Sequence, residues 1–293
     1  MKKTILFGGS GFLGAAVLKK YPNIISVGRT RPQKGLGIYN KHIKVSSLNN
    51  LRKLDKIKFD KVIFLIGNSN HHKINKNINL GIKKNFNTMI KIMEYLKNKK
   101  IKKFICFTTI LLYKTKNSNK RISEKSEINP YENNYIFSKH LQEEAVNFYK
   151  NRIPSIIVRI SNIYGYTKLK RPDLVPTLMQ NIFKKKISYV WSEEPTRDFI
   201  FVEDAADAIV KLLNSKFTGV INLATGKSHN VKKVIDIISK YSNKEIRTLN
   251  KKVTGPYKLF ANVNLLKKIV KWKPKYTIKS GLIKTINLAK KLN

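Results

Sequence analysis

The sequence predicts a doubly wound α/β protein, a parallel sheet with helices on both faces, followed by a smaller α/β lobe. Three observations carry this expectation. Short apolar runs alternate with longer helical patterns over the first 160 residues, the rhythm of strand–helix–strand units whose sheets are covered on both sides. A glycine-rich turn follows directly on the first of these runs. After Ile160 the rhythm changes, as Pro172, Pro176 and Pro195 interrupt it and single elements stand further apart.

The first strand is Thr4 to Phe7, and the helix after it carries Leu13, Ala16, Val17 and Leu18. Further short apolar strands are expected at Ile24 to Val27, His42 to Val45, Lys61 to Ile66, Lys103 to Thr108 and Ser155 to Ile160. Helical stretches fall between most of them, notably Asn85 to Asn98 and Tyr135 to Asn151. Val202 to Leu213 and Val231 to Tyr241 are single elements of the later part, and no internal repeat is visible. Residues 1–165 are expected to form a Rossmann-type dinucleotide-binding domain with segments near 197–226 returning to it. Residues 166–196 and 227–293 are expected to form a smaller C-terminal α/β substrate lobe.

Composition bounds the function. The 293 residues hold 60 Lys and Arg against 17 Asp and Glu, a formal charge of +43, but 14 Phe, 13 Tyr and 2 Trp supply a core, which excludes disorder as the main state. Of the 60 cations 51 are lysine, spread from end to end among Asn and Ile. All three residue types have A/T-rich codons, so the charge reads as compositional drift on solvated faces, and a nucleic-acid partner is not expected. Lysine-rich runs such as those between Lys97 and Lys103 read as exposed helix ends. One cysteine, Cys106, excludes an intrachain disulfide, and no zinc-type spacing occurs, so no metal is expected. The N-terminus lacks the pattern of a signal peptide, and no apolar run approaches the roughly 20 residues that span a bilayer. A reducing cytoplasm is the expected location, with no membrane partner.

The first candidate site is Gly8-Gly9-Ser10-Gly11-Phe12-Leu13-Gly14. It lies between the first strand and the first helix, where a dinucleotide pyrophosphate meets a helix N-terminus. Gly8 allows the tight turn, Gly11 the approach of the phosphates, and Gly14 close packing of helix on strand; Phe12 and Leu13 complete the cofactor-binding turn. An NAD site usually has Asp or Glu about 20 residues later for the ribose hydroxyls. Here Arg29 stands in that place, which favours NADP(H), with NAD(H) the alternative.

Four YxxxK pairs occur: Tyr95 with Lys99, Tyr135 with Lys139, Tyr164 with Lys168, and Tyr166 with Lys170. In a lysine-rich chain such a motif is cheap, so context selects. Tyr135 opens a long helix, Lys139 follows one turn later on the same face, and a strand ending in Thr108-Thr109 precedes them. A phenol of ordinary pKa about 10 needs a nearby cation to exchange protons at neutral pH. Tyr164 and Tyr166 are expected to face the substrate without moving protons. His71-His72 is expected in a surface loop.

With these residues in place, the chain resembles the extended short-chain dehydrogenase/reductases of the NAD-dependent epimerase/dehydratase type. The resemblance rests on the glycine turn, the strand Phe104 to Tyr113, Tyr135 with Lys139, and four later segments. These are Arg159-x-x-Asn162-x-Tyr164-Gly165, Arg197-Asp198-Phe199-x-x-Val202-x-Asp204, Asn222-x-x-x-Gly226, and Trp272-x-Pro274 with Gly281-Leu282. It implies an enzyme of nucleotide-diphosphate sugars, and a homodimer. Tyr135 would be the general acid/base and Lys139 would orient the nicotinamide ribose and lower the Tyr135 pKa. Thr109 would hold the reacting sugar oxygen, and Asn85 would correspond to the family's helix asparagine. Asn162 and Arg197 would hold the substrate diphosphate, and Trp191 would stack on the base or pack in the core. Phe64-Leu65-Ile66-Gly67 stands where the family usually has His-Leu-Ala-Ala, placing Leu65 and Gly67 beside the cofactor, and Ser46 or Ser47 replaces a common acidic residue.

Two departures narrow the implied reaction. Sugar dehydratases of the family carry an Asp-Glu pair after the catalytic Thr, where this chain has Ile110-Leu111. Members that epimerise beside a ketone use a cysteine where this chain has Leu111. A 4-keto reductase or a 4-epimerase is left. A reductase exchanges its spent cofactor whereas an epimerase recycles tightly held NAD, so Arg29 turns the expectation toward an oxidoreductase that reduces a 4-keto sugar nucleotide. The alternatives are a nucleotide-sugar 4-epimerase and, from another class, a non-catalytic cofactor-binding or polyanion-binding module.

Overall fold

A computed structural model of the chain describes residues 2–32, 41–114, 120–253 and 255–292. The first half runs β1 (Lys3–Phe7), α1 (Phe12–Lys20), β2 (Ile25–Gly28), β3 (His42–Lys44), β4 (Phe59–Phe64), α2 (His71–Lys76), α3 (Ile78–Gly81), α4 (Asn87–Leu96), β5 (Lys103–Thr109), α5 (Asn134–Phe148) and β6 (Ser155–Ile160). There follow β7 (Asn162–Tyr164), α6 (Leu174–Asn181), β8 (Ile187–Val190), β9 (Thr196–Phe201), α7 (Val202–Leu213), β10 (Gly219–Leu223), β11 (Ser228–Asn230), α8 (Val231–Ser242), β12 (Glu245–Thr248), α9 (Asn264–Val270) and α10 (Ile278–Leu292).

Seven strands form one sheet in the order β10-β6-β5-β4-β1-β2-β3. Pairing of β1 with β2 and β4, of β2 with β3 and of β4 with β5 is parallel throughout. This is the doubly wound sheet the alternating apolar runs predict. The chain leaves β1 for β2 on one side, while β4 lies on the other, so the switch point falls at the ends of β1 and β4, where such sheets bind ligands. A core of Ile5, Phe7, Val62, Phe64, Phe104 and Met93 packs there, its rings in a row: Phe7 to Phe64 at 5.9 Å and Phe64 to Phe104 at 6.1 Å.

The chain divides into two compact units: Met1–Tyr113 with Glu127–Arg159 and Ala206–Ile221, and Lys114–Ser126 with Ile160–Ala205 and Asn222–Asn293. Residues 160–165, 197–205 and 222–226 fall in the second unit and not in the first as the sequence boundaries had them, and so does Lys114–Ser126. For the last of these the reason is local pairing: Ile122 N–H donates to the Phe260 carbonyl at 2.7 Å, and Asn262 N–H donates to the Ile122 carbonyl at 2.8 Å. Asn222 adds a side-chain bond to the same Ile122 carbonyl at 3.2 Å.

The second unit holds a three-stranded sheet, β11-β9-β7, and a parallel pair, β12-β8. Its core includes Tyr164, which is only 1 % exposed and packs on Phe201 at 5.4 Å. A Cβ at Gly281 would overlap the Tyr164 hydroxyl, so two motifs that lie 117 residues apart interlock. Tyr164 is thus a core residue, not the substrate-facing one expected. Lys103 also differs from expectation: it opens β5, is buried, and donates to the Phe217 carbonyl. No helix of the described residues is long and apolar enough to cross a membrane.

Candidate active site

The glycine turn joins β1 to α1. Gly8 has φ +87°, a left-handed conformation that side chains disfavour, and a Cβ at Gly14 would overlap the Gly8 carbonyl oxygen. Gly11 is the N-cap of α1 and supplies no side-chain cap, and its own N–H donates to Gly8 O at 3.0 Å. The first turn of α1 contains no acidic residue, so its amides and dipole face a phosphate without a competing carboxylate. Phe12 and Leu13 have buried side chains; what they offer a cofactor is backbone. Leu65, just past β4, lies against Gly8, and its N–H donates to Phe7 O at 3.0 Å.

Beside this turn opens a cavity of about 360 Å³, bordered by Gly8 to Ser10, by Gly28 at the end of β2 with Arg29 and Thr30 after it, by Val45 to Leu48 after β3, and by Lys83, Lys84, Thr88 and Lys91. Arg29 therefore does border the space next to the glycine turn. Ser46 and Ser47 border it too, and among the described residues no carboxylate does.

Tyr135 and Lys139 stand one turn apart on α5. The helix starts there because Asn133 caps it, its Oδ1 accepting from Ile136 N–H at 3.0 Å, and Asn75 Oδ1 accepts from Tyr135 N–H at 2.9 Å. Tyr135 is 7 % exposed and packs with Ile74, Leu112 and Ile136; the ring of His71 lies 6.1 Å from its own. His71 and His72 open α2 behind the cap Asn70, so they sit on a helix and not in the loop expected.

Lys139 is almost wholly buried. Burial pulls its pKa down to about 8, partly offset by Cys106 and Glu143. Its ammonium donates to Gln142 Oε1 at 2.9 Å, and Gln142 Nε2 donates to the Phe107 carbonyl of β5 at 3.2 Å. One residue on, Glu143 accepts from Thr108 Oγ1 at 2.6 Å and from Arg159 at 2.6 and 3.0 Å. These bonds lock α5 against the end of β5, the strand that carries Thr109. Thr109 caps a short 3₁₀ turn over Ile110–Leu112, its Oγ1 accepting from Leu111 N–H at 3.2 Å. Ile110 is buried, and Leu111 packs against the Tyr135 cluster. The two positions where an eliminating enzyme would need acid and base are thus apolar in place as well as in sequence.

Gly67, Asn85 and Lys139 come together: a Cβ on Gly67 would lie 3.1 Å from Asn85 Oδ1 and 3.3 Å from Lys139 Nζ. Asn85 is fully buried and acts as a clamp. Its Oδ1 accepts from Asn68 N–H at 2.7 Å, and its Nδ2 donates to Asn68 O at 3.2 Å and Ser138 Oγ at 2.9 Å. Both amide hydrogens are spent inside the protein, so Asn85 shapes the loop beside Lys139. The Gln142 bridge was missed in the sequence, where its only signal is the three-residue spacing from Lys139 on one helix.

The other YxxxK pairs are accounted for. Tyr95 and Lys99 both donate to Asp55, at 2.8 Å each; Tyr164 is core, and burial raises the Tyr166 pKa.

In the second unit, Asn162 on β7 pairs with Phe199 on β9, and Arg197 lies two residues before Phe199, so Asn162 and Arg197 share one face of the sheet. Arg197 donates to the carbonyls of Thr196 at 3.0 Å and Tyr257 at 3.4 Å. Burial pulls its pKa down to about 10, and no carboxylate pairs with it among the described residues. Asp198 and Asp204, which the sequence motif also contains, are structural. Asp198 accepts from Thr225 and Gly226 N–H at 2.9 and 2.7 Å, and Asp204 from Lys275 and Tyr276 N–H at 2.9 and 3.0 Å. Trp191 is 50 % exposed, with Lys251 Nζ 5.9 Å from its ring, so it is not a core residue. Among the described residues no three His, Cys, Asp or Glu side chains are grouped to hold a metal.

The chain resembles an uncharacterized UDP-glucose epimerase, YtcB, of Bacillus subtilis, with 23 % identity over 210 residues, 69 % of this chain and 65 % of that one. It spans about three fifths of the length of the curated relatives it matches. Among solved structures, the UDP-N-acetylglucosamine 4-epimerase of Methanobrevibacter ruminantium M1, in complex with UDP-N-acetylmuramic acid, superposes with TM-score 0.86 at 21 % identity, covering 98 % of this chain and 97 % of that one. The UDP-glucuronic acid 4-epimerase of Bacillus cereus, in complex with UDP-glucuronic acid and NAD, gives 0.86 at 22 %, covering 99 % and 100 %. The sequence model of the NAD dependent epimerase/dehydratase family matches residues 4–224, and the chain belongs to that family.

Proposed function

We propose that the protein is an NAD(P)-dependent oxidoreductase that reduces a 4-keto sugar nucleotide, with Tyr135 as general acid. The observation that carries this reading is the buried Lys139 one helical turn from Tyr135, held toward β5 by Gln142 and standing beside Gly67. A sensor or scaffold would need the glycine turn but no buried ammonium next to a phenol.

The glycine turn suits a dinucleotide pyrophosphate: Gly8 takes the left-handed φ of the tight turn, Gly14 lets α1 pack close against that turn, and α1 begins there without an acidic residue. In this reading Gly8, Gly11, Gly14 and the amides of Phe12 and Leu13 hold the pyrophosphate. Leu65 and Gly67 border the cofactor, Asn85 fixes the loop between them and α5, and Lys139 donates to the ribose hydroxyls. Arg29 favours the adenosine 2′-phosphate of NADP(H) over NAD(H). The reduced nicotinamide supplies a hydride. Thr109 and Tyr135 hold the C4 oxygen, Tyr135 gives it a proton, and the phenolate left behind is stabilised by the Lys139 ammonium until water reprotonates it. Arg197 and Asn162 hold the substrate diphosphate, and Trp191 the base. Ile110 and Leu111 offer neither acid nor base, which sets elimination aside. A homodimer in the cytoplasm belongs to the same reading; light scattering tests the oligomer.

A second reading, a 4-epimerase, is favoured by the two similar solved structures described above, both 4-epimerases and one of them solved with NAD. One experiment separates the two. The purified protein is mixed in one arm with a panel of nucleotide-linked 4-keto hexoses and reduced cofactor, and in the other with the corresponding 4-hydroxy sugars and oxidised cofactor, and the nicotinamide absorbance is followed alongside the sugar. Stoichiometric loss of reduced cofactor supports the reductase. Interconversion of C4 epimers with no net change in cofactor would establish the epimerase, and neither result with any sugar would set both aside.

A further inference from the structure

The cavity beside the glycine turn has two walls. One is the end of β2 and β3, with Arg29 and Ser47; the other is helical, with Lys83, Lys84, Thr88 and Lys91. Lys84, Thr88 and Lys91 recur at the spacing that lines one helix face. The wide π-helical turn Ile82–Phe86 sends Asn85 inward, fully buried, while Lys83 and Lys84 remain exposed at the cavity. Thr88 Oγ1 donates to the Lys84 carbonyl, fixing that turn to the next.

Arg29, Lys83, Lys84 and Lys91 make no ion pair among the described residues. The sequence explains why: its first carboxylate is Asp55, the next is Asp60, and the third is Glu94. Asp55 is held by Tyr95 and Lys99, and Asp60 pairs with Lys102 at 3.7 Å. Confining four like charges around one cavity costs free energy that a bound dianion relieves. A phosphate monoester carries close to two negative charges at neutral pH.

We infer that the cavity reads the adenosine 2′-phosphate from both walls, with the helical lysines Lys83, Lys84 and Lys91 acting as specificity-determining residues beside Arg29. This rests on the cofactor reading above and goes beyond it. Arg29 is then one of several donors, and the preference for a 2′-phosphate survives its loss. Lysine suits this role because its compact ammonium follows a phosphate without demanding one geometry.

The test uses fragments that need no sugar substrate. Affinities for 2′,5′-ADP, 3′,5′-ADP, 5′-AMP and NADH are measured by calorimetry on the full chain and on three variants: Arg29→Ala, Lys83→Ala/Lys84→Ala/Lys91→Ala, and all four together. Melting temperatures equal to the parent's establish that the variants are folded. The parent is expected to bind 2′,5′-ADP at least about tenfold tighter than 5′-AMP. Arg29→Ala should keep a preference of roughly threefold, the triple lysine variant should lose most of it, and the quadruple variant all of it. Higher salt should shrink the preference, because exposed cations are screened. Loss of the whole preference in Arg29→Ala alone would overturn the inference, as would equal binding of 3′,5′-ADP and 2′,5′-ADP. If NADH binds and the parent shows no preference, the two-wall inference fails while dinucleotide binding stands. If neither NADH nor any fragment binds, the cofactor reading falls with it.

Discussion

Two arginines, one in each compact unit, show how the same side chain serves opposite ends. Arg159, at the end of β6, is 6 % exposed and makes a two-bond fork to Glu143 at 2.6 and 3.0 Å, with its guanidinium stacked 4.6 Å from the Tyr113 ring. Arg197, on β9, has backbone carbonyls as its hydrogen-bond acceptors and no carboxylate partner among the described residues. A carbonyl accepts a hydrogen bond but does not neutralise a charge. The first arginine is therefore complete as it stands and belongs to the scaffold behind Tyr135. The second is held in place with its charge uncompensated, the condition in which a guanidinium receives an anion.

The comparison breaks first if Glu143 is removed. Glu143→Ala leaves Arg159 buried without its partner and leaves Thr108 without an acceptor, so unfolding free energy should fall by about 3–5 kcal/mol. Urea denaturation measures it. The double variant Glu143→Leu/Arg159→Met should recover much of that loss, since a packed apolar pair avoids the stranded charge. A loss under about 1 kcal/mol in the single variant would mean the pair is not the scaffold element described.

Arg197→Ala should behave oppositely. Stability should change little, because no partner charge is stranded, whereas affinity for a nucleoside diphosphate should fall by about 1.5–3 kcal/mol, the worth of hydrogen bonds to a charged group. Calorimetry with UDP, dTDP, GDP and CDP reads both the loss and the preferred base. Unchanged affinity together with a lowered melting temperature would make Arg197 a second Arg159.

The buried lysine sharpens the same contrast by pH. The pKa of Lys139 is lowered to about 8 mainly by burial, so the ammonium loses its proton as pH rises through about 8. On the proposed cofactor reading, one donor to the ribose and the charge beside Tyr135 go with it. Cofactor affinity, titrated by NADH fluorescence from neutral to alkaline pH, should fall across that window. Gln142→Leu removes the acceptor that favours the charged form and should move the fall to lower pH. A flat profile in both proteins would show that Lys139 does not titrate there.

Much of this was legible in the sequence because it rests on local pattern. Alternating apolar runs place β1 to β6, and the glycines mark the turn at residues 8–14, since Gly8 and Gly14 admit no other residue without strain or overlap. What was illegible depends on distant partners. The burial of Tyr164 depends on Gly281, and the placement of Ile122 on Phe260 and Asn262. Two signals were present and unread: Asn70 before His71 is a helix cap, and Gln142 follows Lys139 at a spacing that lets the two side chains meet.

The most direct test of the account is Tyr135→Phe, which removes one hydroxyl from the helix that carries Lys139. Hydride transfer is followed in a single turnover by the absorbance of reduced nicotinamide, with cofactor affinity measured on the same sample. The account predicts a rate lowered by about 10² to 10⁴ with cofactor affinity unchanged. A near-normal rate would contradict it and assign the proton to another group.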